Sequence, residues 1–304
     1  MTQTVAETIQ QITRHHLEEM NGLLLGQCVS AVGWIGGTVP DCRGKGIVEI
    51  PMTDVAGPAF AVGCALEGRR PIFVVRYQGF MWYNASSLVN YAARSKAVWG
   101  VPCPVFIRSI GMEGNGIGHT ASSCLHSIFM HPPGLSVAAP MTPNEYRDVW
   151  DYFMKHDDPI YVSEHRRSFT MNIEMPNQIQ PDSKITILAI SAGRLNAIEA
   201  VKALTTKGIK SDLIHVYWLK PFQIIPEIIA SLKKTGLGIV IDSDFEIAGA
   251  SRSLAYELMH ASGVPVHALG LKDEVCGVAP RLENITPSPT RITEVISKLI
   301  ANKK

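Results

Sequence analysis

Short apolar runs alternate with helical patterns along almost the whole chain. Residues 72–77 and 185–190 are rich in β-branched and aromatic side chains and predict buried strands. Between such runs, apolar positions recur at helical spacing, as in residues 5–20. A helix start is predicted at Thr142, because a proline fills the first turn and a glutamate stands three residues after the cap. The alternation predicts mainly parallel sheets flanked by helices.

The alternation is interrupted at residues 164–183, where the chain becomes polar and rich in proline, asparagine and glutamine, most clearly at residues 175–182. Such stretches are typical of linkers between domains. We therefore predict an α/β protein of two domains, each built on a mainly parallel sheet flanked by helices. The first domain is expected to span residues 1–170, the linker 171–183 and the second domain 184–304.

The bulk composition argues against several classes of protein. The 304 residues are 46% hydrophobic and 18% charged, which is typical of a chain with a well-covered core. A net charge of +1 gives no electrostatic reason to expect nucleic acid or an anionic membrane as a partner. The six cysteines form no CxxC pair, so we expect reduced thiols. With no signal-peptide pattern and no long apolar run, a soluble, cytoplasmic protein is expected.

The first candidate for chemistry is Asp54. A β-branched run stops at the turn Pro51-Met-Thr-Asp54, and a helix rich in glycine and alanine follows. The carboxylate therefore stands at the carboxyl end of a strand, where open α/β sheets bind ligands. A helix cap formed by Thr53 or Asp54 explains the pattern equally well, because such caps are common and contribute about 1 kcal/mol.

Two further groups are candidates for a ligand site. The glycine-rich loop 114–118 presents His119 after a strand, where an imidazole can transfer a proton or bind an oxyanion. An ordinary helix-cap or solvated histidine is the alternative. A cluster of aromatic residues follows another strand and can stack a heterocycle, although core packing is the default for each ring. These residues are Tyr77, Phe80, Trp82 and Tyr83.

The run from Pro51 to Ile72 resembles a known family. It resembles a segment in the beta subunit of 2-oxo acid dehydrogenases, which typically reads Pro-Ile-x-Glu, then Gly-x-Ala-x-Gly-x-Ala, then Gly-x-Arg-Pro-Ile. The resemblance extends over nearly the whole chain, and the same two domains form the back half of transketolase. Further matching segments are Asn90-Tyr-Ala-Ala-Arg94, Gly118-His119-Thr120, His131-Pro-Pro-Gly134 and Leu219-Lys220-Pro221.

The resemblance implies a thiamine diphosphate enzyme in which this chain supplies the pyrimidine-binding domain and a transketolase C-terminal-like domain. In that family a separate alpha subunit holds the diphosphate and Mg²⁺ through a Gly-Asp-Gly…Asn motif. This sequence contains no Gly-Asp-Gly. We therefore expect an alpha-type partner in an α2β2 assembly. The family also implies a small-molecule substrate and an acyltransferase component as a further partner.

Site residues are carried over from the family by position. Asp54 falls where the family has the glutamate that activates the cofactor, and Phe80 where an aromatic ring stacks on the aminopyrimidine. His119 falls on a histidine that serves the substrate or the acyl intermediate. Tyr83 and Gln27 are expected near the cofactor, where the family usually has glutamate in place of Gln27.

The family often has a loop that binds a monovalent cation such as K⁺ before its next strand. By position this loop falls on Phe153, His156 and Asp158. These three residues are therefore the expected metal site.

Asp54 departs from the family pattern, because aspartate is one methylene shorter than glutamate and loses roughly 1.5 Å of reach. Glu49 does not replace it, since an odd number of positions separates the two and Glu49 points to the other face of the strand. The leading hypothesis is a beta-type subunit that decarboxylates a 2-oxo acid and transfers the acyl or aldehyde unit. The alternatives are a split transketolase-like subunit that moves a two-carbon ketol unit between sugars, and a non-catalytic paralogue.

Overall fold

The computed structural model describes residues 3–30, 34–42, 45–113, 118, 120–121 and 123–303. The chain divides into two compact units, one formed by Met1–Met112 with Cys124–Glu174 and the other by Glu113–Ser123 with Met175–Lys304. The division after Glu174 falls inside the segment that the sequence suggests as a linker. Glu113 belongs to the second unit, where its carboxylate accepts a hydrogen bond from the Thr286 amide at 2.8 Å.

Helices and strands alternate through the first unit. In chain order they are α1 (Val5–Glu19), β1 (Leu23–Gly26), the short turn α2 (Trp34–Gly37), β2 (Ile47–Glu49), α3 (Ala56–Leu66), β3 (Pro71–Val75), α4 (Met81–Ser87), α5 (Ala93–Trp99), β4 (Phe106–Gly111), α6 (His126–Met130), β5 (Ser136–Ala138), α7 (Pro143–Lys155) and β6 (Ile160–His165).

The strands of the first unit form a parallel sheet in the order β2-β1-β3-β4-β6-β5. After β1 the chain adds β2 on one side and β3 on the other, so the direction of the sheet reverses between β1 and β3. Such a reversal is a topological switch point, and open α/β sheets bind ligands outside the carboxyl ends of the strands there. A ligand site is therefore expected at Gly26, Val75 and the residues that follow them, because β1 and β3 end there.

Local signals determine where the helices of the first unit begin and end. The predicted start at Thr142 is confirmed, because its hydroxyl accepts from the Glu145 amide and Glu145 bonds back to the cap. The helical run after β3 begins at Met81. Its middle is a π-helical segment, Leu88–Ala92, and it ends at Gly100, whose φ of 69° lies in the left-handed region that favours glycine.

The second unit is also an α/β layer structure, which confirms the predicted fold class. Its strands β7, β8, β10 and β11 form a parallel sheet in the order β11-β10-β7-β8, over a core of aliphatic side chains. The elements are β7 (Thr186–Ile190), α8 (Gly193–Thr206), β8 (Asp212–Val216), β9 (Trp218–Lys220), α9 (Pro226–Thr235), β10 (Gly238–Phe245), α10 (Ala250–Ser262), β11 (Val266–Leu271) and α11 (Pro289–Ala301). No helix in the described ranges is long and apolar enough to cross a membrane.

A buried ion pair ties β4 to β6 in the first unit. The Arg108 guanidinium donates to both carboxylate oxygens of Glu164, at 2.6 and 2.9 Å, and both side chains are 1% exposed. The Tyr146 hydroxyl donates to Glu164, and Arg108 also donates to Thr38. Burial opposes the charge of Arg108, but the Glu164 carboxylate outweighs it and raises the pKa of the guanidinium. Arg108 is therefore part of the core and does not reach a ligand.

Breaking this ion pair is expected to destabilise the protein. Glu164→Gln leaves Arg108 as a buried charge without compensation and should lower the free energy of unfolding by roughly 3–5 kcal/mol. Urea or thermal unfolding measures the change. Glu199→Gln, which breaks an exposed contact with Lys202, is the control and should stay within about 0.5 kcal/mol of the wild type. Equal losses for the two variants would contradict a structural role for the buried pair.

Candidate active site

A pocket opens at the switch point of the first unit. It lies at the carboxyl ends of β1 and β3 and beside the turn that joins β2 to α3. Its lining combines one carboxylate, one guanidinium, two aromatic rings and two side-chain amides with backbone, hydroxyl and aliphatic groups. The lining residues are Gly26, Gln27, Ile50, Thr53, Asp54, Gly57, Phe73, Val74, Val75, Arg76, Phe80 and Asn84.

Gly26 allows β1 and β3 to approach each other at the floor of this pocket. Its φ is 154°, and a Cβ atom built on it would lie 2.7 Å from the Val74 carbonyl oxygen. A side chain at this position would therefore have to displace backbone. The chain passes directly from Gly26 to Gln27, which carries a side chain into the pocket.

Asp54 lines the pocket and does not cap the following helix. The N-cap of α3 is Val55, and no side chain makes the cap hydrogen bond, so the capping interpretation of Thr53 and Asp54 is wrong. The Asp54 Oδ1 atom instead accepts a hydrogen bond of 2.9 Å from the Asn84 Nδ2 atom on α4. Within the described part of the chain the second carboxylate oxygen, Oδ2, has no partner and is available to a ligand.

Glu49 does not line the pocket, although β2 ends at Glu49 and the alternation of a strand therefore does not extend to Asp54. Its carboxylate accepts hydrogen bonds from the Cys28 amide and from the Ser30 amide and hydroxyl, the latter two at 2.8 and 2.7 Å. Burial acts to raise the pKa of Glu49, but these hydrogen bonds outweigh burial and hold the pKa below its ordinary value. Glu49 thus fixes the loop after β1 and leaves Asp54 as the acid of the pocket.

Two more residues predicted near a cofactor line the pocket, and one does not. Phe80 and Gln27 are both half-buried lining residues, and the Gln27 side-chain amide has no hydrogen-bond partner among the described residues. Tyr83 is 65% exposed and lies outside the lining. Successive residues of a helix differ in direction by about 100° around its axis. Because α4 directs Asn84 into the pocket, it directs the adjacent Tyr83 towards the surface.

His119 and residues 114–117 lie outside the described residues, so the predicted role of His119 stays a prediction. Gly118, the residue before His119, lies within the described ranges and has a φ of 88°, in the left-handed region.

The loop expected to bind a cation already contacts an arginine. The Arg70 Nη1 atom donates to the carbonyl oxygens of Phe153 and His156, at 2.7 and 2.8 Å, and the Nη2 atom lies 3.6 Å from Asp157. The His156 ring stacks on Tyr152. Across the described ranges, no group of three or more His, Cys, Asp or Glu side chains is placed to hold a metal ion. A cation bound by Phe153, His156 and Asp158 would have to share these oxygens with Arg70.

A second cavity shares Arg76 with the pocket. Arg76 and Arg166 both line it, together with Gly36, Tyr77 and Phe169. Arg76 follows β3 and Arg166 follows β6, and the carboxyl ends of parallel strands meet at one edge of a sheet. Two cations at this edge favour an anionic ligand.

Asn84 in the pocket and Arg166 in the second cavity were not predicted from the sequence. Arg166 stands in a polar run after a strand, where nothing distinguishes it from its neighbour Arg167, which is also exposed. The signal for Asn84 was its spacing of four residues from Phe80, which places both on one face of a helix. Its contact with Asp54 joins segments that are distant in sequence, and no local pattern reveals such a contact.

Comparison with known proteins identifies the family. Residues 33–171 match the transketolase pyrimidine-binding domain, and residues 176–292 match the transketolase C-terminal domain. The chain therefore belongs to the family of proteins that join these two domains.

Named relatives are more distant. The pyruvate dehydrogenase E1 component subunit beta of Rickettsia felis is 24% identical over 273 residues, which cover 84% of this chain and 83% of the relative. The chloroplastic subunit beta-3 of Arabidopsis thaliana is 26% identical over 293 residues, with coverages of 88% and 72%. The recognised resemblance to beta subunits is thereby confirmed.

Solved structures share the fold. A split-gene transketolase, described as an inactive beta4 tetramer, superimposes with a TM-score of 0.76 at 15% identity and covers 99% of this chain and 97% of its own. The transketolase of Campylobacter jejuni gives a TM-score of 0.72 at 16% identity, with 97% of this chain matching 46% of the larger one.

Because Arg70 binds the loop carbonyls, the stability of the protein is expected not to depend on K⁺. Because a guanidinium already binds the two loop carbonyls, the melting temperature should be equal in KCl and in choline chloride at the same ionic strength. Arg70→Met leaves the carbonyls without this donor and should cost about 1–3 kcal/mol in either salt. Lys155→Met, at an exposed position at the end of α7, is the control. A stabilisation of the wild type that is specific to K⁺ would show that a bound cation is needed.

Proposed function

We propose that this chain is the beta-type subunit of a heteromeric thiamine diphosphate enzyme that decarboxylates a 2-oxo acid and transfers the resulting acyl or aldehyde unit. The observation that carries the proposal is the Asp54 carboxylate. It stands in a pocket at the switch point of a pyrimidine-binding domain, free of the helix cap and with one oxygen available. Relatives named as pyruvate dehydrogenase E1 beta subunits support the proposed reaction class.

The residues of the pocket fit an aminopyrimidine. A flat heterocycle needs an apolar surface to stack on and polar groups at its edge. Phe80 offers the ring, Asp54 offers a carboxylate, and the Gln27 amide is without another partner among the described residues. These three side chains are proposed to hold the pyrimidine end of the cofactor.

Asp54 is proposed to act on a proton. With the cofactor bound, its Oδ2 atom would share a proton with the ring nitrogen of the aminopyrimidine, while Oδ1 would remain bound to Asn84. The cofactor, when bound, supplies the carbon nucleophile for the keto group of the substrate. The chain's own contribution is to hold the ring against Phe80, to keep the Asp54 proton at the ring nitrogen, and to surround both with apolar groups such as Ile50 and Phe73 that exclude water.

The surface of α3 supports an assembly with a partner. The helix is apolar around its whole circumference, and a helix of that kind is normally buried. Yet Phe60 is 52% and Leu66 43% exposed, and Ala59 and Gly63 are exposed beside them. Small residues allow another backbone to approach closely. We propose that an alpha-type subunit, which holds the diphosphate and Mg²⁺, covers the Asp54 pocket. We also propose that the exposed face of α3 is a subunit interface of the α2β2 assembly.

The direct test uses the chain assembled with its alpha-type partner, thiamine diphosphate and Mg²⁺. The complex should release CO₂ from a 2-oxo acid. Asp54→Asn keeps the size of the side chain but cannot share the proton, so turnover should fall by about 100-fold or more while cofactor affinity changes little. A correctly assembled complex that decarboxylates no 2-oxo acid would contradict the proposal.

Asp54→Glu separates a catalytic subunit from a non-catalytic paralogue. If Asp54 touches the cofactor, one added methylene must change the rate or the affinity for thiamine diphosphate, because a shift of roughly 1.5 Å exceeds the tolerance of a hydrogen bond. Stopped-flow turnover and a binding titration measure the two quantities. An unchanged rate and affinity would favour the paralogue.

The arginine-lined cavity favours a second candidate, a split transketolase-like subunit that moves a two-carbon ketol unit between phosphorylated sugars. Arg76 and Arg166 suit a phosphate as well as a carboxylate. The same assembly tested with a ketose phosphate and an aldose acceptor distinguishes the two reactions.

Arg166→Gln should raise KM for the anionic substrate by about tenfold or more with a smaller effect on kcat, because it removes a charge-assisted contact. The neighbouring Arg167→Gln, which does not line the cavity, is the matched control. Equal KM values for the two variants would show that the cavity does not bind the substrate.

A further inference from the structure

Asn84 connects two elements of the pocket through one nitrogen atom. Its Nδ2 atom donates to the Asp54 Oδ1 atom and to the Phe80 carbonyl oxygen, both at 2.9 Å. The residue is 4% exposed, so its amide is largely shielded from water. Asp54 comes from the turn between β2 and α3, whereas Phe80 comes from the connection between β3 and α4. One amide group therefore fixes the acid relative to the backbone that carries the Phe80 ring.

The chemistry of the two partners determines the orientation of the Asn84 amide. A carboxylate and a carbonyl oxygen are both acceptors, so only the NH₂ group of the amide can face them. That group has two hydrogens, and each is used in one of the two bonds. The nitrogen has no donor left for a ligand, and the amide cannot turn over without losing both bonds.

The carboxylate of Asp54 depends on this amide for its direction. In the described part of the chain, Asn84 is the only side chain that bonds to it. The bond occupies Oδ1, so the atom that remains for a ligand is defined as Oδ2. Catalytic groups have to be held within about 0.5 Å of their working position, and a short side chain has few rotamers with which to correct an error.

We propose that Asn84 is a positioning residue, which holds the Asp54 carboxylate at the distance from the Phe80 ring that an aminopyrimidine requires. The inference rests on the proposed function. It assigns to Asn84 a role in proton sharing at the cofactor, beyond the stability that a buried hydrogen bond contributes.

The test uses the complex with the alpha-type partner, loaded with thiamine diphosphate and Mg²⁺. Two quantities are measured: the rate of hydrogen–deuterium exchange at the thiazolium carbon, by acid quench and NMR, and the dissociation constant of the cofactor, by fluorescence titration. Asn84→Ala should slow the exchange by about 10- to 100-fold, as expected for the loss of a hydrogen bond to a charged group. The dissociation constant should change by less than about threefold.

Two further variants keep the test decisive. Asn90→Ala removes the same residue type from an exposed position of the same helical run and should exchange like the wild type. Asn84→Ser keeps one donor and should give an intermediate rate. It replaces Asn84→Ala if the alanine variant does not fold.

Three outcomes would overturn the inference. Wild-type exchange in the Asn84 variants, together with slow exchange in Asp54→Asn, would show that the acid needs no positioning. A parallel loss of melting temperature, cofactor affinity and exchange rate would reduce Asn84 to a structural residue. A wild-type complex that exchanges no faster than free cofactor would sink the proposed function itself, and that result is distinguishable from the other two.

Discussion

The hydrogen bond between Asn84 and Asp54 is the interaction on which the proposed site depends. The switch point between β1 and β3 creates a crevice in any sheet of this order, but a crevice has no chemistry of its own. The chemistry comes from a carboxylate that the helix α3 does not use as a cap and that the buried amide of α4 turns into the crevice. The strand order thus determines where the crevice lies, and the hydrogen bond between Asn84 and Asp54 determines how the carboxylate is oriented in it.

The carboxylates near this pair differ in whether they are already bound to structural partners. Other charged groups at the same edge of the sheet are bound to structural partners: Glu49 holds the loop after β1, and Glu164 neutralises Arg108 in the core. Asp54 is the carboxylate that remains for the pocket lining. Arg76, which also lines the pocket, and Arg166 bring positive charge to the second cavity. The carboxylate of the pocket and the two arginines of the second cavity are therefore found on one unit.

Much of this arrangement was readable from the sequence, because it depends on local patterns. Strand–helix alternation, the Thr142 cap and the strand ends before Asp54 and Phe80 are encoded within a few residues. Gln27 was expected near the pocket from the family resemblance alone. The remaining features depend on contacts between distant segments. The choice between cap and pocket for Asp54 was decided by Asn84, the burial of Arg108 by Glu164, and the exposure of Tyr83 by the rotation of α4. A single sequence does not reveal such pairings.

Asp54 is proposed to reach the pyrimidine ring although it is one methylene shorter than the glutamate of the family pattern. A crystal structure of the assembled complex with thiamine diphosphate bound would measure this reach. We expect the Asp54 Oδ2 atom within about 3.2 Å of the aminopyrimidine ring nitrogen, with the ring against Phe80 and Oδ1 still bound to Asn84. A pyrimidine bound outside this pocket, or separated from Asp54 by more than about 4 Å, would contradict it.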